Sequence, residues 1–186
     1  MTPDASTNSP LALVNSFARA DVAAILRERG WLDSVMEHDA DPALNAWCDR
    51  AGELLGPHAP DRSTLAELLA LVFHYDAAAA LRLDANQSVL AREGAREVIR
   101  ELANRILDRG SLDSDGFKET VEQMKAAVPY RSRAMFHPIR LALAGRAGER
   151  ELDRVILLLD SAANLRFAVS VKGTRQRMLE FCAAFD

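Results

Sequence analysis

The chain has little of what builds sheets, disulfide frameworks or membrane spans. Runs of β-branched residues are rare and aromatic residues make up 6% of the 186 positions, which argues against a fold based on strands. The two cysteines, Cys48 and Cys182, are far apart and outside any ligand-type spacing, so they read as reduced thiols. The histidines at 38, 58, 74 and 137 are scattered. His38 beside Asp39 and Asp41, and His74 beside Asp76, are loose neighbours without metal-ligand spacing. No metal and no cofactor is expected. No apolar run reaches membrane-spanning length, and Met1–Pro10 carries no secretory signal, so a cytoplasmic protein without a membrane partner is expected. Gly145-Arg146-Ala147-Gly148 is too short for a phosphate loop.

What is abundant is alanine and leucine, with glycines placed where helices should stop. This composition predicts an all-α protein. Residues 1–10 read as a frayed polar tail, 11–85 as a first helical bundle and 86–186 as a second, consecutive one. Within them the apolar spacing predicts helices over 11–29 and 41–55. A Thr64–Glu67 capping box predicts a third running to Tyr75. A long helix follows over 87–108, with Gly94 inside it and close packing at that glycine. Further helices are expected from Asp113 or Ser114 to Ala127, over 150–159 and 164–169, and over 174–185 with Met178, Leu179, Phe181 and Cys182 inward.

Charge is split along the chain. The net charge is −4, made of −7 over residues 1–90 and +3 over 91–186, and residues 130–177 alone carry +6. An acidic whole excludes a general nucleic-acid binder. A local basic patch fits one RNA or one acidic protein.

The richest stretch is 134–160. Phe136-His137-Pro138-Ile139-Arg140-Leu141-Ala142-Leu143-Ala144-Gly145 sets a lone cation in an apolar helix ended by glycine. A short loop and a second helix with Leu152 and Leu157-Leu158-Leu159-Asp160 follow. This pattern resembles the C-terminal anticodon-binding domain of bacterial-type glutamyl-tRNA synthetases. That family carries Phe-x-Pro-Leu-Arg-x-Ala-Leu-Thr-Gly, a short loop and a helix ending Leu-Leu-Gly. The likeness extends more weakly over residues 20–168.

The resemblance implies a protein that binds a tRNA anticodon arm, or serves in trans with a separately encoded catalytic chain. It is not expected to be an enzyme by itself: the nucleotide-binding sheet and the His-Ile-Gly-His and Lys-Met-Ser-Lys-Ser elements of a class I synthetase are missing. Carried over by position, Arg140 contacts an anticodon base, with Glu149, Arg150 and Leu152 beside it. Arg131, Arg133 and Arg146 add sequence-independent attraction to the tRNA. The chain departs from the family where Glu149-Arg150 replaces a small residue or glycine followed by proline, and where Asp160 replaces glycine. Those departures, and the acidic first half, leave a second expectation: a helical scaffold repurposed for protein–protein interaction that no longer binds RNA. On the sequence alone the RNA expectation is staked on this corner: strands through Phe136–Leu159, or an Arg140 guanidinium turned inward and neutralised by an acid, would leave nothing of it standing.

Overall fold

A computed structural model describes residues 17–33 and 41–185 of the chain. The expected tail over 1–10, the expected helical residues 11–16, and His38 with Asp39 lie outside the described residues. Among those described there are ten α-helices and no strand, so the fold is all-α. They are α1 (Arg19–Glu28), α2 (Pro42–Leu55), α3 (Arg62–Phe73), α4 (Ala77–Arg82) and α5 (Asp84–Leu90). After these come α6 (Ala95–Leu107), α7 (Ser114–Ala127), α8 (Ser132–Ala144), α9 (Glu151–Ala163) and α10 (Thr174–Phe185).

Aspartate caps open four of the helices, α2, α3, α4 and α7. Asp41 accepts from the amides of Ala43 and Leu44 at 2.9 and 3.2 Å, with Pro42 in the first turn of α2. Asp113 opens α7 by accepting from the Gly116 amide at 2.7 Å. The expected Thr64–Glu67 box is not the start of α3. Asp61 caps that helix, accepting from the amide and hydroxyl of Thr64 at 2.8 and 3.0 Å. These bonds favour the charged carboxylate and hold Asp61 below its ordinary range.

The long helix expected over 87–108 is two helices. Gly94 stands between α5 and α6 at φ +82°, a left-handed conformation that costs only glycine nothing. The Tyr130 ring closes over it: a Cβ at this position would stand 2.0 Å from the ring's Cζ. Close packing at Gly94 was expected; the break was not, because the apolar stripe continues through both helices. Gly94→Ala is expected to destabilise the protein by about 2 kcal/mol, read as a lower urea midpoint at unchanged slope.

The helix expected over 164–169 is also absent. α9 runs on to Ala163 and residues 164–173 form no regular element. Asp160, which looked like a lost glycine, anchors this corner. Its carboxylate accepts from the amides of Leu112 and Thr174, both at 2.6 Å, and from the Thr174 hydroxyl at 2.7 Å. It thereby ties the loop before α7 to the start of α10.

Two apolar cores meet at α9. Val155, Leu158, Leu159 and Ala162 on one face join α1, α2 and α3 in the first core, while Leu152, Ile156 and Leu157 join α6, α7, α8 and α10 in the second. The first core therefore takes in a helix from the second half of the sequence. Its centre is aromatic: Trp31 stacks on Phe73 at 4.6 Å, and Phe167 meets Phe73 edge-on at 4.9 Å. His74 accepts from the Trp31 indole N–H at 3.1 Å, a structural use of a side chain that sequence placed near Asp76. Cys48 is buried in this core, and burial pushes its pKa up to about 11. Cys182 packs against the other core. On α10, Met178 and Phe181 face inward as expected, but Leu179 is 49% exposed.

Candidate functional site

The corner between α8 and α9 follows from local chemistry. Gly145 ends α8 at φ +80°, and its amide donates to the Leu141 carbonyl at 3.0 Å. The loop after it is held from two sides. From α5, the buried Asn86 donates its amide to the Gly145 carbonyl at 3.3 Å and accepts from the Ala147 amide at 3.2 Å. From α8, Arg140 reaches the other end of the loop.

Arg140 does not project. It is 5% exposed, and its guanidinium turns onto the first turn of α9. Nε donates to Asp153 Oδ1 at 2.7 Å and Nη2 to Oδ2 at 2.8 Å, a bidentate pair of the strong kind. Nη1 donates to the Gly148 carbonyl at 2.7 Å. The Phe136 ring lies 5.2 Å from the guanidinium carbon. This is the inward, neutralised arrangement that removes Arg140 as a free base-reading fork. What the geometry does instead is fasten the loop to both helices.

Around that lock is a hollow of about 540 Å³ bordered by Lys125, Arg131, Arg133, Phe136, Arg150 and the Arg140–Asp153 pair, with Glu149 on its edge. It brings together Arg131, Arg133, Arg140, Glu149 and Arg150 of the residues picked from sequence. Two others fall elsewhere. Leu152 is fully buried in the second core, so it supports the corner and touches nothing outside the protein. Arg146 is exposed on the loop but does not line the hollow.

The cations differ in freedom. Arg131 donates to the carbonyls of Lys125 at 2.7 Å and Val128 at 2.6 Å, closing the C-terminal end of α7 where a positive charge is favoured. Arg133 meets Glu149 at 2.9 Å in an exposed pair, which is worth little and readily exchanged. Arg150 is exposed and meets no carboxylate among the described residues. One turn along α8, His137 is pushed below its ordinary pKa, first by burial and then by Arg92 and Arg140. The corner is thus cationic.

Sequence reasoning missed Asp153, Asn86 and Lys125. Asp153 carried the weak signal of an acid in a helix's first turn, which the macrodipole alone explains. Among the described residues, no cluster of three or more His, Cys, Asp or Glu that could hold a metal is present, and no helix is long and apolar enough to cross a membrane.

A family model described as an anticodon binding domain matches residues 20–166. No curated protein and no solved structure gives a significant match.

Proposed function

The chain belongs to the anticodon-binding domain family, and from that premise we propose that it binds the anticodon arm of a tRNA through the hollow between α8 and α9. The likeness of Phe136–Gly145 to the glutamyl-tRNA synthetase element makes a glutamate tRNA the first RNA to test. In this reading the domain holds RNA and does no chemistry. Amino-acid activation would belong to a synthetase catalytic domain, on a separate chain or elsewhere on the same one.

With Arg140 turned inward, what supports the reading is the family match over residues 20–166 together with the exposed cations around a hollow whose loop Arg140 holds in place. A buried bidentate pair plus a carbonyl bond fixes a loop beside a hollow rimmed by exposed cations. Preset geometry of this kind lets a surface take a splayed nucleotide without first ordering itself. Arg150 supplies an unpaired guanidinium. Arg133 supplies a second once a phosphate displaces Glu149. Arg131 and Lys125 add positive field from the end of α7, and Arg146 adds it from outside the hollow.

The test is a titration with tRNA at two salt concentrations, about 50 and 200 mM. Each phosphate contact contributes about −0.7 to −0.9 to the log–log salt slope, so a hollow using two or three arginines gives a slope near −2. Arg150→Gln is expected to weaken binding and bring the slope about one unit closer to zero. A protein that leaves tRNA unbound at low salt would overturn the reading and favour the protein-binding scaffold.

A further inference from the structure

Arg92, Arg96 and Arg100 succeed one another at four-residue spacing, the first in the turn before α6 and the other two on it. That spacing places the two helical ones on one face, where like charges repel. All three are exposed, and among the described residues none meets a carboxylate. Elsewhere on the surface, Arg19, Arg62 and Lys125 are each paired, with Asp49, Glu28 and Glu122. The row therefore gathers three exposed guanidinium groups, none in an ion pair among the described residues, on one stretch of surface.

The row lines a cleft of about 780 Å³ between α5–α6 and the end of α10. Leu90, Tyr130 and Phe185 form its apolar walls. Arg96 lies 4.5 Å from the centre of the Phe185 ring, and Arg92 Nη1 stands 3.4 Å from His137 Nδ1. Glu97 is the acid on the wall; burial first and this carboxylate second raise the pKa of the Tyr130 phenol. The cleft shares no lining residue with the hollow at the α8–α9 corner, so its role is independent of anticodon-arm binding there.

We propose that this cleft binds a nucleotide unit, its phosphate on the arginine row and its base against the Tyr130 and Phe185 rings. Guanidinium forks suit phosphate oxygens. Aromatic walls beside them give a base a stacking face, the combination by which proteins hold single-stranded nucleic acid. Inorganic phosphate would leave the rings unused, and an acidic peptide would satisfy the charge while leaving the apolar walls wet. The same chemistry comes from a free mononucleotide or from one nucleotide of an RNA strand.

The experiment is calorimetric titration of the full chain at low salt with adenosine 5′-monophosphate, adenosine, a five-residue oligouridylate and hexaglutamate. The nucleotide and the oligonucleotide should bind, with adenosine weaker by about tenfold or more, the loss expected for one charge-assisted contact. Arg96→Gln with Arg100→Gln should weaken both phosphate-bearing ligands by about tenfold or more. These side chains are exposed, so the double variant keeps its fold, and a thermal melt checks this. Arg133→Gln with Arg150→Gln should leave mononucleotide binding unchanged. An oligonucleotide that binds much more tightly than the mononucleotide assigns the cleft to RNA; equal affinities assign it to free nucleotide. Absence of binding by both, indifference to the Arg96/Arg100 change, or binding of hexaglutamate alone would overturn the proposal. Loss of tRNA binding with the mononucleotide still bound would count against the corner hollow only.

Discussion

Arg177→Met is expected to destabilise the protein by about 4 kcal/mol or more and to lower its melting temperature by about 10–15 °C. Arg177 is fully buried, yet no carboxylate touches it. Its fork donates to four carbonyls: Lys172 at 2.8 Å, Leu71 at 3.0 Å, Val72 at 2.6 Å and Leu143 at 2.9 Å. Leu71 and Val72 lie in the last turn of α3, and Leu143 in the last turn of α8. These are carbonyls with no amide left to receive, at the negative ends of two helix dipoles. The Tyr75 hydroxyl serves the neighbouring Ala142 carbonyl at 2.5 Å, and the Tyr75 ring lies 4.7 Å from the guanidinium. One cation and one phenol thus close two helices whose ends meet inside the molecule. Burial pushes the Arg177 pKa down to about 10, still well above neutral pH, so the charge remains to be held by the dipoles.

Methionine fills the space and leaves four acceptors dry, each costing about 1–3 kcal/mol when orphaned. Relaxation and entering water recover part of that. Arg177→Lys is expected to fall between, because one ammonium cannot reach four carbonyls set around a planar fork. A methionine variant that melts within a few degrees of the parent would show that the two helix ends do not depend on this cap.

Why sequence showed some of this and hid the rest is a matter of range. Asp41-Pro42, Asp113 and Gly145 announce helix ends because a cap bonds within about three residues of itself. The apolar periods of α2, α7 and α10 were legible for the same reason. Gly94 was visible as a costly residue, but its left-handed turn depends on Tyr130, which arrives far later in the chain. Arg177 and Asp160 each satisfy groups that only tertiary folding brings near; alone in sequence, one looks like a surface cation and the other like a substitution. The site divides along that line too. Arg133, Glu149 and Arg150 sit at a corner that the glycine and the helix starts define locally. The inward turn of Arg140 depends on Asp153, thirteen residues on, and on a crossing angle that composition does not contain. The double use of α9 follows from its apolar run being wide enough to face two cores, which read only as a greasy helix.

Arg140→Met is expected to cost about 3 kcal/mol of stability, since it leaves the mostly buried Asp153 carboxylate without its bidentate partner. Adding Asp153→Leu should regain at least about 1.5 kcal/mol, because a buried ion pair is worth less than the penalty of breaking it from one side. The same variants decide what Arg140 does for RNA. As a positioning residue it acts through the Gly148 carbonyl and the start of α9, so both variants should loosen the loop and weaken tRNA binding several-fold. The salt slope should stay at the parent value, because no phosphate contact has been removed. As a direct contact it would bring the slope about one unit closer to zero, as Arg150→Gln is expected to do. Fluorescence titrations of the parent, Arg140→Met and the double variant, each at several salt concentrations, separate the two. Both of the guanidinium's ends are already engaged by Asp153 and Gly148. For RNA to claim them it would have to break a bidentate ion pair that water barely reaches. Displacing the exposed Glu149 from Arg133 costs far less, so on the proposed reading the nucleic acid would engage the rim of the hollow and leave its floor as frame.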